Sequence, residues 1–423
     1  MIEQILSARN LSIARNKVIA NKGSSGVDGM EVSELKDFIQ SERSTVCTSI
    51  IHRSYKKSPI RGVEIPKGNG KTRLLGVPTV VERWLQQAVS QQLANRFELD
   101  FEEESYGFRP KKNAQQAVLK SQDYINNGYQ DIVDIDLKGF FDEVPHHKLL
   151  QLIYNKVKCP TTLWLIRKWL RAPLLIKGKL HKRRKGIPQG SPLSPLLSNI
   201  ILDQLDKYLK HKGYKFIRYA DDFSVYTTSK SKARVIGNGI YMFLRDKLEL
   251  PINRNKSGIR RPNTFKILGH GFVPTYKKGA KGQYQIVVDK KSWQSLKRKL
   301  RQITKKTKPM RLAERLAELK LIYRGWLNNF RLGNLEGKLK KLDEWLRNRL
   351  RYCIWADWKK PERKRKNLIR LGIEQGQAYA WSRTRMGGWA VAQSPILKTT
   401  ITVKRLQLRG YEQMLYYYHK VKF

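Results

Sequence analysis

Apolar residues return every three or four positions between 82 and 97. Trp84, Leu85, Ala88, Val89, Leu93 and Phe97 form one stripe, which predicts an amphipathic helix. The period changes to two in DIVDIDL (131–137). Val133, Ile135 and Leu137 point to one face and Asp134 and Asp136 to the other, as on a half-buried strand. FIRYADDFSVY (216–226) reads as a hairpin with its two acids near the turn. FKILGHGFV (265–273) reads as another strand pair. Beyond Asp289 the helical period takes over. Leu312, Leu316, Leu319, Tyr323, Trp326 and Phe330 make one stripe, and Leu335, Leu339, Leu342, Leu346 and Leu350 the next.

Turn signals separate these stretches. NKGSSGVDGM (21–30) predicts a loop between helices. Gly68, Asn69 and Gly70 predict a turn between two short strands, with Lys67, Lys71 and Arg73 clustered around it. In RKGIPQGSPLSPLL the Gly-Pro-rich loop predicts a helix start, with Ser194 as N-cap and Pro195 at the first helical position. INRNKSGIRRP (252–262) reads as a basic loop, and KKPERKRKNLIR (359–370) as a linker or exposed helix end.

Charge changes the picture. The 423 residues hold 85 Lys+Arg against 35 Asp+Glu, a formal net charge of +50. Such a chain is drawn to polyanions, so nucleic acid is the expected partner. Residues 289–370 carry 27 Lys+Arg and 8 Asp+Glu, about twice the average charge density. Cys47, Cys159 and Cys353 form no CxxC pair, which supports neither a zinc ribbon nor a disulfide framework. MIEQILSARN does not resemble a signal peptide, and no apolar run is long enough to span a membrane. The expectation is a soluble, cytoplasmic protein without a membrane partner.

Adjacent acids in so basic a chain suit nucleotidyl transfer. Charge builds on the attacking 3′-oxygen, the phosphoryl group and the leaving pyrophosphate, and two Mg²⁺ ions held by carboxylates can stabilise it. Asp136 on one strand and Asp221 on a neighbouring hairpin are the candidates. An isolated Asp-Asp pair reads more readily as a capped turn, and Asp136 with its following KGFF weakens that reading.

Several blocks, in this order, resemble group II intron reverse transcriptases: IPKGNGKTRLLGVPTV (65–80), SYGFRP (105–110), DIDLKGFFDEVPH, KGIPQGSPLSPLLSNIILDQLD and RYADDF. FKILGHGFV is similar to the family's late palm block, and IYRGWLNNF (322–330) to its maturase, or X, domain. The resemblance covers essentially the whole chain. It implies an α+β right-hand polymerase, with fingers and palm built on antiparallel sheet and a helical thumb/maturase domain following. The expected divisions are 1–80 (N-terminal extension and fingers), 81–285 (fingers and palm core), 286–360 (helical thumb) and 361–423 (a small basic region, a candidate for DNA binding).

The same resemblance implies roles. Asp136, Asp221 and Asp222 match the catalytic carboxylates that hold two Mg²⁺ ions, with Mn²⁺ as a substitute. Phe141 matches the aromatic steric gate that rejects a 2′-hydroxyl. Lys67 and Arg73 match residues gripping the triphosphate, Gln189 one lining the nascent base pair, and Lys256 a lysine that protonates pyrophosphate. Arg109, Lys297, Arg298 and Arg301 are the expected nucleic-acid contacts. The implied partners are intron RNA, an RNA template–DNA primer duplex, target DNA and dNTPs. No Cys pairs or clustered His follow the thumb, so an HNH endonuclease with a zinc module is not expected. Two other readings remain open: a non-catalytic RNA chaperone, and a polymerase severed from its intron and working in repair or phage defence. Phe141 and the basic helices disfavour a viral-type RNA-directed RNA polymerase.

Overall fold

The computed structural model describes residues 1–66, 72–276 and 282–422. The chain divides into two units, Met1–Arg261 and Pro262–Phe423. No helix among the described residues is long and apolar enough to cross a membrane.

In the first unit the strands are β1 (Ile60–Pro66), β2 (Thr72–Val77), β3 (Asp131–Ile135), β4 (Leu174–Ile176), β5 (Lys179–His181), β6 (Lys215–Tyr219), β7 (Asp222–Thr227) and β8 (Gly258–Arg260). They form two sheets. One runs β2-β1-β4-β5 and is antiparallel except for the parallel β1/β4 pair. The other runs β6-β7-β3-β8 and is antiparallel throughout.

The strand read from 131–137 is present as β3, but it is buried on both faces: Val133 and Ile135 on one, and Asp131 and Ile132 on the face that carries half-buried Asp134. Lys230–Met242 packs on β3 and β7, and Ala114–Asn126 and Ser194–His211 pack on β6. Val80–Phe97 buries Trp84, Leu85, Ala88, Val89 and Leu93, the stripe read from its sequence. Ser194–His211 buries Leu197, Ile200, Ile201, Leu205 and Leu209. Its start differs from the expected cap. Ser194 is already helical and Leu193 is the N-cap, without a side-chain bond. The Ser194 hydroxyl donates instead to the Pro188 carbonyl at 2.5 Å, tying the helix to the Pro-Gln-Gly loop before it.

The second unit opens with β9 (Lys266–Ile267), β10 (His270–Pro274) and β11 (Tyr284–Val288), ordered β11-β10-β9 and antiparallel. Three long helices follow: Lys290–Ile303, Leu312–Phe330 and Glu336–Asp357. Their stripes meet in one core that includes Leu296, Leu316, Leu319, Leu339, Leu346 and Leu350. Pro361–Arg370, read as a linker or helix end, is a helix beginning on its proline. The short helices after it pack back on the same core. Asp343 anchors them by accepting the backbone N–H groups of Met414 and Leu415 at 2.9 and 3.0 Å and the Tyr411 hydroxyl at 3.0 Å.

Candidate active site

The β6–β7 hairpin places the acids. Tyr219 pairs with Asp222, which leaves Ala220 and Asp221 as the turn. Ala220 sits at φ +57°, a left-handed conformation that costs an L-residue about 1–3 kcal/mol and persists only where its surroundings impose it. Here they do. Arg218 donates to the Ala220 carbonyl at 3.0 Å. Gly107 packs so closely that a Cβ there would lie 2.2 Å from the Ala220 nitrogen.

The partner strand supplies Asp136. Ile135 pairs with Phe223 across β3 and β7, so the next step of that antiparallel register sets Asp136 opposite Asp222. The loop before β8 wraps Asp136. Its backbone N–H donates to the Ser257 hydroxyl at 3.0 Å, and its carbonyl accepts from the Asn253 N–H at 2.8 Å. Its carboxylate accepts from Asn253 Nδ2 at 2.9 Å and Lys256 Nζ at 3.2 Å.

The Asp222 carboxyl is pushed up to about 6, by burial first, then by the negative charges of Asp221, Asp136 and Asp134, with Lys256 pulling the other way. Asp222 is exposed to solvent, which softens the burial cost and leaves the mutual repulsion of the acids as the more durable cause. A bound cation would relieve that repulsion, and an all-oxygen donor set suits a hard divalent ion. Among the described residues no group of three acids, histidines or cysteines stands ready to hold a metal ion, and the Asp136 carboxylate is engaged by Lys256 and Asn253. Asp136, Asp221 and Asp222 are the residues that would hold such an ion.

A cavity of about 530 Å³ gathers three of the residues expected at the substrate: Arg73 from β2, Phe141, and Gln189. Arg73 Nε donates to Gln189 Oε1. Phe141 lies on the short helix Phe140–Glu143, its ring edge-on to buried Phe140 at 5.2 Å. Gly186 (φ +88°) holds the backbone beneath it: a Cβ there would meet the carbonyl oxygens of Phe141 and Asp142 at 2.8 Å. The Ile187 N–H donates to the Phe141 carbonyl at 2.6 Å. Lys67 lies outside the described residues.

Arg109 is not placed as a surface contact. Its side chain is nearly buried and bonds Glu98 at 2.9 Å and the carbonyls of Ser105 and Phe101 at 2.9 and 3.3 Å, so it organises its own loop. Lys297, Arg298 and Arg301 are exposed on their helix, opposite buried Leu296, Leu300 and Ile303.

Two groups were not foreseen. Asn21, Gly23, Arg83 and Gln87 join the cavity wall. Beneath the acidic turn, Arg218, Asp206 and Asn199 form a buried network, with Asn199 Nδ2 also donating to the Gly107 carbonyl at 2.9 Å.

Residues 65–272 match the family described as reverse transcriptase (RNA-dependent DNA polymerase). Residues 293–372 match the group II intron, maturase-specific domain. Protein YkfC of Escherichia coli is 28% identical over 319 residues, covering 66% of this chain and 83% of that one. Group II intron-encoded protein LtrA of Lactococcus lactis is 36% identical over 214 residues, covering 49% of this chain and 34% of that one. The putative COX1/OXI3 intron 2 protein of Saccharomyces cerevisiae is 34% identical over 214 residues, covering 48% and 24%. The chain thus spans about a third or less of the two intron proteins' length.

Proposed function

From a chain that belongs to the group II intron reverse transcriptases, we propose an enzyme that copies RNA into DNA and assists splicing of the intron RNA it binds. The observation that carries the reading is Asp136 at the end of β3 facing Asp222 at the start of β7, with Asp221 in the turn between β6 and β7. Asp136, Asp221 and Asp222 would hold two Mg²⁺ ions, replaceable by Mn²⁺. When bound, such ions lower the pKa of the attacking hydroxyl and offset charge on the leaving oxygens.

The chain's own residues do the rest. Arg73 in the cavity wall offers a planar, permanently charged donor to the triphosphate. Lys67 is proposed beside it. Gln189, already bonded to Arg73, links that grip to the nascent base pair. The Phe141 ring occupies the volume a 2′-hydroxyl would need. Lys256, which bonds the Asp136 carboxylate at 3.2 Å, is the lysine placed to give a proton to pyrophosphate. Lys297, Arg298 and Arg301 contact RNA phosphates from the helical unit.

The proposed partners are intron RNA, a template–primer duplex and target DNA, met in the cytoplasm. The maturase-specific match favours this reading over a polymerase severed from its intron. Primer extension on an RNA template with dNTPs or rNTPs, beside a splicing assay, tests it. Extension with dNTPs and faster splicing are expected. Absence of dNTP incorporation by folded protein would refute the polymerase, and unaltered splicing the maturase.

A further inference from the structure

In the second unit a cavity of about 420 Å³ opens where Glu336–Asp357 ends against Pro361–Arg370 and the short helix Val403–Leu408. Trp358, Leu371 and Leu406 give it an apolar lining, and Arg370, Arg405 and Arg409 also line it. No acid stands among the described residues of its wall. Arg405 is oriented by donating to the Thr400 carbonyl at 2.6 Å. Arg370 and Arg409 are exposed, and neither is paired with a carboxylate among the described residues. Leu408, also lining the cavity, is 80% exposed.

An apolar cleft with an aromatic ring and unpaired guanidinium groups has the two halves of a single-stranded nucleotide site. The ring and aliphatic wall take a base by stacking, and the arginines take its flanking phosphates. The volume suits one nucleotide. A regular duplex fits poorly, because its bases are already stacked and turned inward. Residues 361–423 hold 13 Lys+Arg and 3 Asp+Glu, so the surrounding surface favours the same polyanion.

We infer that this cavity receives an unpaired nucleotide of the intron RNA. The choice of RNA rests on the maturase reading above, since Trp358, Arg370 and Leu371 lie within the maturase-specific match. Seating a splayed base lets the helical unit recognise a loop or bulge rather than a helix, the usual route to sequence-specific RNA recognition.

The test uses the full chain and a short single-stranded RNA carrying a photoreactive thiouridine. Cross-links are mapped to peptides, and affinity is measured against salt. Cross-links are expected within 354–371 or 400–409. The double variant Arg370→Gln/Arg409→Gln, checked for folding by circular dichroism, should abolish them. It should bind on the order of tenfold more weakly, with a salt slope flatter by about 1.4, since each lost phosphate contact on a single strand removes about 0.7. Duplex RNA of the same length should compete less well than the single strand. Cross-links elsewhere only, a variant binding like wild type, or equal competition by duplex would overturn the inference. Better competition by DNA of the same sequence would overturn its assignment to RNA. A splicing assay on the same wild-type sample separates this inference from the maturase reading it rests on. A chain that speeds splicing without cross-linking here keeps the maturase and loses the cavity's role.

Discussion

Arg218 and Asp206 form a fully buried pair directly beneath the acidic turn. Arg218 Nε lies 2.8 and 2.9 Å from the two Asp206 oxygens, and Nη2 lies 2.5 Å from one of them. The remaining nitrogen bonds Asn199 and the Ala220 carbonyl at 2.9 and 3.0 Å. One guanidinium thus ties a helix to the strained residue beside Asp221. Breaking such a pair leaves a buried charge uncompensated, at about 3–5 kcal/mol. Asp206→Ala should lose that much in denaturant unfolding. Arg218→Lys, which lacks the planar fork, should lose activity even where it folds. Wild-type stability in Asp206→Ala would contradict this role.

The proposed steric gate at Phe141 has a support that can be tested apart from the ring. Phe141→Val should raise ribonucleotide use relative to deoxyribonucleotides, read as the ratio of kcat/KM values. Gly186→Ala should shift the same ratio without touching the ring, because its Cβ would displace the Phe141 carbonyl. If neither variant moves the ratio, Phe141 packs and does not select.

Glu82 makes stability depend on pH. Burial pushes its carboxyl up to about 7, despite the Ser58 N–H at 3.1 Å, the Tyr55 and Trp169 contacts, and Lys57. The folded state keeps a proton that the unfolded state releases at the ordinary value of 4.5. Stability from this group is therefore full below about 4.5 and falls as pH rises to about 7, by on the order of 3 kcal/mol. Glu82→Gln should remove that fall. Comparing urea midpoints at pH 5 and pH 8 checks it, and equal pH dependence in both proteins would contradict it.

Changing Lys297, Arg298 and Arg301 to Ala should weaken RNA binding and flatten its salt dependence, by about one unit of slope for each phosphate no longer neutralised. The three project from the exposed face of an otherwise well-packed helix, so folding should survive. An unchanged slope in filter binding would make this face merely solvated.

What the sequence revealed, and what it hid, follows from range. The β3 strand, the hairpin at Ala220-Asp221 and the leucine stripes are local patterns and stand where the sequence placed them, although β3 also buries Ile132 on the face read as polar. The buried Arg218 could not be picked out among 85 Lys+Arg, because its burial depends on Asp206 and Asn199 on another element. Arg109 was hidden for the same reason: four local acceptors claim it in the fold, and none is marked by spacing. Ser194-Pro195 carried a cap signal, but the hydroxyl found the Pro188 carbonyl instead. Gly107 looked like any loop glycine until Ala220 was seen against it.

The central claim is that Asp136 and Asp221 carry the chemistry while cations elsewhere hold the RNA. Single-turnover dNTP incorporation by Asp136→Asn and Asp221→Asn, measured beside RNA affinity on the same samples, tests it most directly. The account predicts incorporation abolished and affinity kept within about threefold, because phosphate contacts supply the binding and the carboxylates hold the ions. Near-normal incorporation by either variant would contradict it.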